Sequence, residues 1–334
     1  MNIDNTIKDL EEIALRVNDF ILSHLNGNPH ELYAASSSYI RSGGKRLRPY
    51  LVIKSCEMFG GNKNAAIPAA AAVELIHNFS LIHDDIIDND DIRHGIPTVH
   101  RKYGLPVALI SGDILFSKAF EVLSETSNLG LEDKIIKKMV SKLSSSCVRV
   151  CEGQAMDTAM AAYEIIPTTE EYLEMIGKKT AALFEVSCAM GTLSSSNSSD
   201  IDVDNLAIFG RHIGVAFQLV DDLIGVIGNT KITGKAVGND IREGKKTYPI
   251  LLALKTANEN EKNKIIKVFG IRTCSRDELD AAVGVISSLN IEGEVRDLAY
   301  YEMEQGTRLL KKYVKNEAKG ALISSAKFIV ERSL

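Results

Sequence analysis

Apolar residues recur at spacings of three and four through most of the chain. The stretches lie near 5–25, 47–59, 66–88, 105–126, 132–161, 169–192, 203–226, 276–289 and 291–316, and each predicts a helix with one buried face. The alternation that a half-buried strand requires is almost absent. In the first stretch Asp4, Lys8, Asp9, Glu11 and Glu12 interleave with Ile7, Leu10, Ile13 and Val17, an amphipathic pattern without a signal peptide's basic and apolar regions. No apolar run approaches the roughly 20 residues that cross a bilayer, so the protein is expected in the cytoplasm, with no transmembrane segment. Turn-forming residues separate the stretches at Asn28-Pro29, Gly60-Gly61, Gly104 to Pro106, Gly130, Pro167 and the Ser-rich segment from Ser194 to Asp202. None of these is long enough to be a domain linker. The expected fold is therefore all-α, one large helical bundle spanning residues 1–334, with ligand space between facing helices. One irregular segment, roughly 228–247 and rich in Gly and Lys, reads as a functional loop.

Composition refines this picture only at the edges. The 334 residues can bury a core as one large domain or two ordinary ones, and 7 Pro with no Trp fit a helical lean. A net charge of −5 and a pI near 5.9 provide no basic field for nucleic acid, so any anionic ligand must be met by local positive charge. The five cysteines are an odd, scattered set and read as free thiols in a reducing compartment. Cys147 and Cys151, at i and i+4, could share a metal, but no His or further Cys accompanies them, and small buried apolar residues are the better reading.

The chemistry concentrates in two acidic segments and several basic ones. Residues 84–91 carry five aspartates at the end of an apolar helix. Asp84 and Asp88 project from one face, where their repulsion is relieved by a divalent cation. Oxygen donors without Cys or paired His favour Mg²⁺. A second pair, Asp221-Asp222, lies in another helical pattern, with Gln218 on the same face. Two such clusters can face each other across a bundle and hold several Mg²⁺ ions on a diphosphate. Gly43-Gly44-Lys45-Arg46-Leu47-Arg48-Pro49 joins a permissive backbone to three cations just before a helix, a pattern suited to phosphate. Further cations stand at Arg93, Lys178-Lys179 before Thr180, Lys235 and Lys245-Lys246 before Thr247, enough for two diphosphate sites.

With these segments in order, the sequence resembles the trans-isoprenyl diphosphate synthase, or polyprenyl synthetase, family over nearly its whole length. Five motifs carry the resemblance: GGKRLRP at 43–49, DDxxD at 84–88, Lys-Thr at 179–180, FQxxDD at 217–222 and GKxxGxDxxxGKxT at 234–247. The resemblance implies an all-α homodimer of the type I isoprenoid synthase kind, with a central tunnel in each subunit. It implies Mg²⁺, three ions per site, with Asp84, Asp88 and Asp221 as main ligands and Asp85 and Asp222 beside them. Arg93, Lys179, Lys235 and Lys245 would bind the allylic diphosphate, and Lys45, Arg48, His77 and the residue at 94 isopentenyl diphosphate. His77 and Asp84, seven residues apart, also fall within roughly 20° on one helix face. The implied reaction is ionisation, condensation and elimination, with the oxygens of Thr180 and Gln218 facing the allylic cation.

Two positions depart from the family pattern. The second acidic motif ends on Gly225 where an aspartate is usual, and His94 replaces the second arginine of Arg-Arg-Gly, a weaker and pH-sensitive partner for isopentenyl diphosphate. Chain length should depend on the residues below the first motif. Ser80 lies one turn from Asp84 on the same face, while a straight wheel turns Phe79 roughly 140° away. In similar archaeal-type synthases an aromatic five positions before the aspartates goes with a C20 product, so geranylgeranyl diphosphate is the expected product and Phe79 the expected floor, unless it packs in the core or a dimer interface. Farnesyl or longer products, a non-catalytic partner subunit and a terpene cyclase are the rivals. GGKRLRP speaks against the cyclase, which needs no second diphosphate site.

Overall fold

The computed structural model describes residues 3–162, 166–228 and 238–332. The predicted helices form as α1 (Ile3–His24), α4 (Leu47–Met58), α5 (Ile67–Ile87), α7 (Leu105–Ser124), α8 (Asp133–Ala162) and α11 (Asp200–Ile227). Between them the chain adds three short helices, α2 (His30–Ser36), α3 (Ser38–Arg41) and α6 (Val99–Tyr103). The stretch predicted at 169–192 is broken into α9 (Thr169–Ile176), a wide π-turn at Gly177–Ala181 and α10 (Ala182–Ser194). Helices Tyr248–Thr256, Glu259–Ile266, Arg276–Ser288, Ile291–Leu310 and Glu317–Val330 follow.

The chain groups into two compact units. In the unit of residues 1–147, 183–210 and 312–324, α5 packs along α7 and against α4 and α1. Small side chains make this possible, because Ala69, Ala70, Ala71 and Ala72 are all fully buried and let neighbouring backbones approach. Leu75 and Ile76, also fully buried, each contribute about 1.5–3 kcal/mol. Helix α4 is buried almost all round, so even its Lys54 lies inside, with Nζ 2.8 Å from both Asp9 and Glu57.

In the unit of residues 148–182, 211–311 and 325–334, helix starts are written in the sequence. Helix α9 opens on a reciprocal cap in which Glu171 N–H donates to Thr168 Oγ1 at 3.2 Å and Thr168 N–H donates to Glu171 at 2.8 Å. Asn258 with Glu261 and Ser275 with Glu278 repeat the arrangement at the two helices that follow them, each cap contributing about 1 kcal/mol. Lys267 and Ser275 together draw the Glu278 carboxyl down to about 2. Helix Tyr248–Thr256 packs on Ile291–Leu310, and Glu259–Ile266 on Arg276–Ser288.

The structure corrects the sequence expectations at four places. Part of the loop expected at 228–247 is helix, Asn239–Glu243, and residues 229–237 lie outside the described residues. The helix expected to run to 316 ends at Leu310. A two-stranded antiparallel ribbon pairs Ile92–Arg93 with Ile96–Pro97. Cys147 is buried but Cys151 is exposed, so the two are not a buried apolar pair; none of the five cysteines is in a disulfide. Elements of two to five residues are shorter than the window over which periodicity can register.

Candidate functional site

The basic loop sorts its cations. Gly43 and Gly44 have φ of 100° and 137°, and Arg46 has φ of 48°, so the chain swings through left-handed geometry into α4. That swing turns Arg46 inward. Its Nε donates to Asn18 at 2.8 Å, one terminal nitrogen to Glu74 at 3.0 Å and the other to the Ile40 carbonyl at 2.8 Å. Arg46 is therefore structural, whereas Lys45 stays exposed. Arg48 lies 4.6 Å over the Phe184 ring and donates to His77 Nε2 at 3.3 Å. Burial lowers the Arg48 pKa to about 10. Burial, with the positive charge of Arg48, pushes His77 well below the usual imidazole range, so the ring is neutral and accepts. The Nε of Arg48 is buried without a partner among the described residues.

The first acidic motif closes α5. Asp84 and Asp88 are half-buried, and Asp88 caps the helix through its N–H to the Asp84 carbonyl at 2.8 Å. Asp85 is fully buried and accepts from the Tyr39 hydroxyl and from Arg93 Nε at 2.6 Å. The Asp85 carboxylate, expected beside the metal, is engaged by these two donors and braces the ribbon that carries Arg93. Burial, and then the bond to Asp85, push the Tyr39 hydroxyl up. His94 sits at the ribbon's turn with φ of 50°, its Nδ1 3.3 Å from Ser42 Oγ and its ring edge-on to Tyr39 at 6.3 Å. Burial, with the charge of Arg93, lowers its pKa.

In the other unit, Lys179 and Thr180 lie in the π-turn, a form found often at functional sites. Gly153 of α8 admits this turn, since a Cβ there would lie 2.2 Å from the Lys179 backbone nitrogen. Lys179 Nζ meets Asp157 at 2.6 Å. Thr180 Oγ1 donates to Gln218 Oε1 at 2.8 Å, and Gln218 Nε2 donates to Asp222 at 2.8 Å. Tyr172 completes this chain by donating to Asp222 from the other side. Asp222, an expected metal ligand, is thus buried and engaged by both donors; burial raises its pKa to about 8 against the pull of the two hydrogen bonds. Asp221, on the same α11, is 35% exposed, with Arg332 Nη1 at 3.8 Å.

Beyond α11, Lys245 pairs with Glu243 at 2.8 Å, and Lys246 donates to the Met160 carbonyl at 2.6 Å. Lys235, an expected diphosphate ligand, lies outside the described residues. Phe79 stacks edge-on against Phe116 at 5.2 Å and His83 at 4.7 Å, and Ser80 Oγ donates to the His77 carbonyl at 2.8 Å. Among the described residues no three His, Cys, Asp or Glu side chains converge as a ready metal cage. The oxygen donors of Asp84 and Asp88 in the one unit suit a hard cation that keeps waters and binds phosphate alongside one or two carboxylates, and so, taken by itself, does the carboxylate of Asp221 in the other.

Sequence reasoning missed the braces. Tyr39, Asp157, Tyr172 and Arg332 contact expected site residues, and Glu74 anchors Arg46 between two of them in sequence, yet no motif or period marks these five. Asp240 did carry a signal, being the aspartate inside GKxxGxDxxxGKxT.

The polyprenyl synthetase family profile matches residues 29–286. A geranylgeranyl diphosphate synthase of Sulfolobus acidocaldarius is 41% identical over 305 residues, covering 91% of this chain and 88% of that protein. The crystal structure of a geranylgeranyl pyrophosphate synthetase from Pyrococcus horikoshii superposes with a TM-score of 0.92 at 35% identity, covering 99% of each chain. A geranylgeranyl pyrophosphate synthase from Corynebacterium glutamicum, solved with isoprenyl diphosphate and magnesium, superposes with a TM-score of 0.85 at 27% identity, covering 99% of this chain and 100% of that one. The motifs in sequence order, the all-helical fold and these likenesses over nearly the whole length place the chain in the polyprenyl synthetase family, as a trans-prenyltransferase.

Proposed function

We propose that the protein condenses isopentenyl diphosphate with an allylic diphosphate to give a trans-prenyl diphosphate, chiefly geranylgeranyl diphosphate. One observation carries this reading: each Asp-Asp pair has one carboxylate locked in the interior by a tyrosine and a second donor, while Asp84, Asp88 and Asp221 stand at half-buried positions suited to a metal-bound diphosphate. Mg²⁺, held by these three residues and expected as three ions, would neutralise charge on the leaving diphosphate. Arg93, Lys179, Lys235 and Lys245 would steady that diphosphate, and Lys45, Arg48, His77 and His94 the one on isopentenyl diphosphate. The incompletely paired guanidinium of Arg48 supports its share of that role.

The allylic C–O bond breaks, and its electron pair leaves on the diphosphate. The double bond of isopentenyl diphosphate then forms the new C–C bond, and a proton lost from its C2 goes to the displaced diphosphate and restores an alkene. Thr180 and Gln218, hydrogen-bonded to each other, would present oxygens to the cation, and an apolar tunnel ending at Phe79 would exclude water. A single domain over 1–334, a homodimer and residence in the cytoplasm belong to the same proposal; no helix among the described residues is long and apolar enough to cross a membrane.

Incubation with isopentenyl diphosphate and dimethylallyl, geranyl or farnesyl diphosphate, with and without Mg²⁺, tests it. A dominant C20 product that vanishes with EDTA is expected. C15 or C25 as the main product would refute the chain-length assignment, and no product from any primer would leave the non-catalytic subunit as the reading.

A further inference from the structure

A cleft of about 960 Å³ opens between the end of α1, the short helices α2 and α3, and Ile96 of the ribbon with Lys102 and Tyr103 of α6. That volume is at the upper end of the roughly 300–1,000 Å³ that small-molecule sites span. No residue assigned above to the metal, to the allylic diphosphate or to isopentenyl diphosphate lines it. Its charge runs against the composition of the chain. The sequence carries 44 acidic residues against 39 Lys and Arg, yet no carboxylate lines the cleft, which receives Arg41, Lys102 and His30. Arg41 Nε donates to Ser37 Oγ at 3.1 Å, which holds the guanidinium at the wall, and no carboxylate pairs with it among the described residues. Lys102 Nζ lies 4.9 Å over the Tyr103 ring, again with no carboxylate among the described residues, whereas its neighbour Arg101 meets Asp91 at 2.6 Å. The serine hydroxyls are engaged by the backbone: Ser37 and Ser38 donate to the Ala34 carbonyl at 3.2 and 3.1 Å, and Ser42 to the Tyr39 carbonyl at 3.1 Å. An anion in the cleft is therefore met by its cations. The remaining wall is apolar, formed by Leu25, Ala34, Ile96 and the ring of Tyr33, which packs so closely on Gly27 that a Cβ there would lie 2.5 Å from it.

We propose that this cleft is a second site for a prenyl diphosphate, held there without reaction and without Mg²⁺, with Arg41 and Lys102 meeting the diphosphate and the apolar wall taking the adjoining isoprene units. Independence from the metal follows from the lining: no carboxylate is present to hold a divalent cation, and the side chains themselves supply the positive charge that Mg²⁺ supplies elsewhere. The aliphatic wall selects a prenyl chain over a nucleotide. A base would need hydrogen bonds along its edge, and among the lining residues Asn26 alone carries a side-chain amide. The inference takes from the prenyltransferase reading the class of ligand that the protein meets.

The test is calorimetric titration of geranyl diphosphate, inorganic diphosphate and ADP into the protein in EDTA, with isopentenyl diphosphate left out. Geranyl diphosphate should bind about tenfold more tightly than inorganic diphosphate, through its buried chain, and more tightly than ADP. Arg41→Ala combined with Lys102→Ala should weaken that binding about 10- to 100-fold. Ala34→Glu, which sets a carboxylate on the wall, should weaken it as well. All three positions are exposed, so melting temperature and kcat should hold in these variants. Lys179→Ala should leave the metal-free binding in place. No binding in EDTA overturns the inference, as do equal affinities for geranyl and inorganic diphosphate, tighter binding of ADP, or a loss in Lys179→Ala that the Arg41 and Lys102 pair does not share. Assay of the wild type with isopentenyl and farnesyl diphosphates and Mg²⁺ separates the two readings: an inactive protein that binds geranyl diphosphate through Arg41 and Lys102 removes the prenyltransferase reading alone, whereas an active protein without metal-free binding removes this inference alone.

Discussion

Arg46→Ala should unfold the protein far more readily than Lys45→Ala, although the two residues are neighbours in one basic motif. The Arg46 and Glu74 side chains are 3% and 2% exposed, with 3.0 Å between nitrogen and oxygen. Glu74 also accepts from Asn78 at 3.0 Å, and Arg46 from its other nitrogens reaches Asn18 and the Ile40 carbonyl, both at 2.8 Å. Truncating Arg46 leaves a buried carboxylate with only an amide for company and two acceptors unmet. Breaking a buried pair from one side costs about 3–5 kcal/mol. Lys45 is exposed, and its removal should fall within about 0.5 kcal/mol. Urea unfolding followed by circular dichroism measures both, and isopentenyl diphosphate KM, taken on the folded fraction, should rise for Lys45→Ala. Equal unfolding midpoints for the two variants would refute the division of the motif into a brace and a binding group.

Asp84→Ala and Asp88→Ala should each lower kcat at saturating Mg²⁺ by more than tenfold, a loss above about 1.4 kcal/mol, with melting temperature held or raised; a retained tenth of kcat would remove them as metal ligands. His77 is held neutral by burial and by Arg48, while the unfolded chain takes up a proton below about pH 6.5, so stability should be flat above that pH and decline as pH falls through it. Denaturant titrations at pH 8 and pH 5 should therefore differ more for wild type than for His77→Asn. His94 also has a lowered pKa, so His94→Arg should lower KM for isopentenyl diphosphate and flatten its pH dependence between about 6 and 8; an unchanged profile would exclude His94 from that site. Phe79→Ala should lengthen products beyond C20 and Ser80→Phe shorten them, as read by chromatography of the dephosphorylated prenols. The stacking of Phe79 on Phe116 adds Phe116→Ala as a further lengthening variant.

The long helices were legible because each is an extended amphipathic pattern, and the site motifs because they set carboxylates and cations at helical spacing. What stayed hidden has a common physical origin. The same residue type serves two ends within one motif, and only packing tells them apart: Asp85 faces Tyr39 and Arg93 in the interior while Asp84 and Asp88 remain half-buried, and Arg46 turns inward while Lys45 does not. A left-handed residue at 46 is what separates those neighbours, and nothing in its identity announces that backbone. Tyr172 and Arg332 reach Asp222 and Asp221 from far along the chain, where no spacing rule applies.

The π-turn at Gly177–Ala181 acts as a phase shifter. A wide turn holds one residue more than an α-helical turn, and one residue is about 100° of azimuth. Deleting a residue there would leave composition and apolar content almost untouched and would relax the segment to an ordinary helix. It would also rotate Lys179 and Thr180 relative to α9, carrying them away from Asp157 and Gln218. Such a segment is sensitive to a change of length even where Glu171, Tyr172, Lys179 and Thr180 are all retained. Its reading frame in space is set by one surplus residue, for which Gly153 leaves the room.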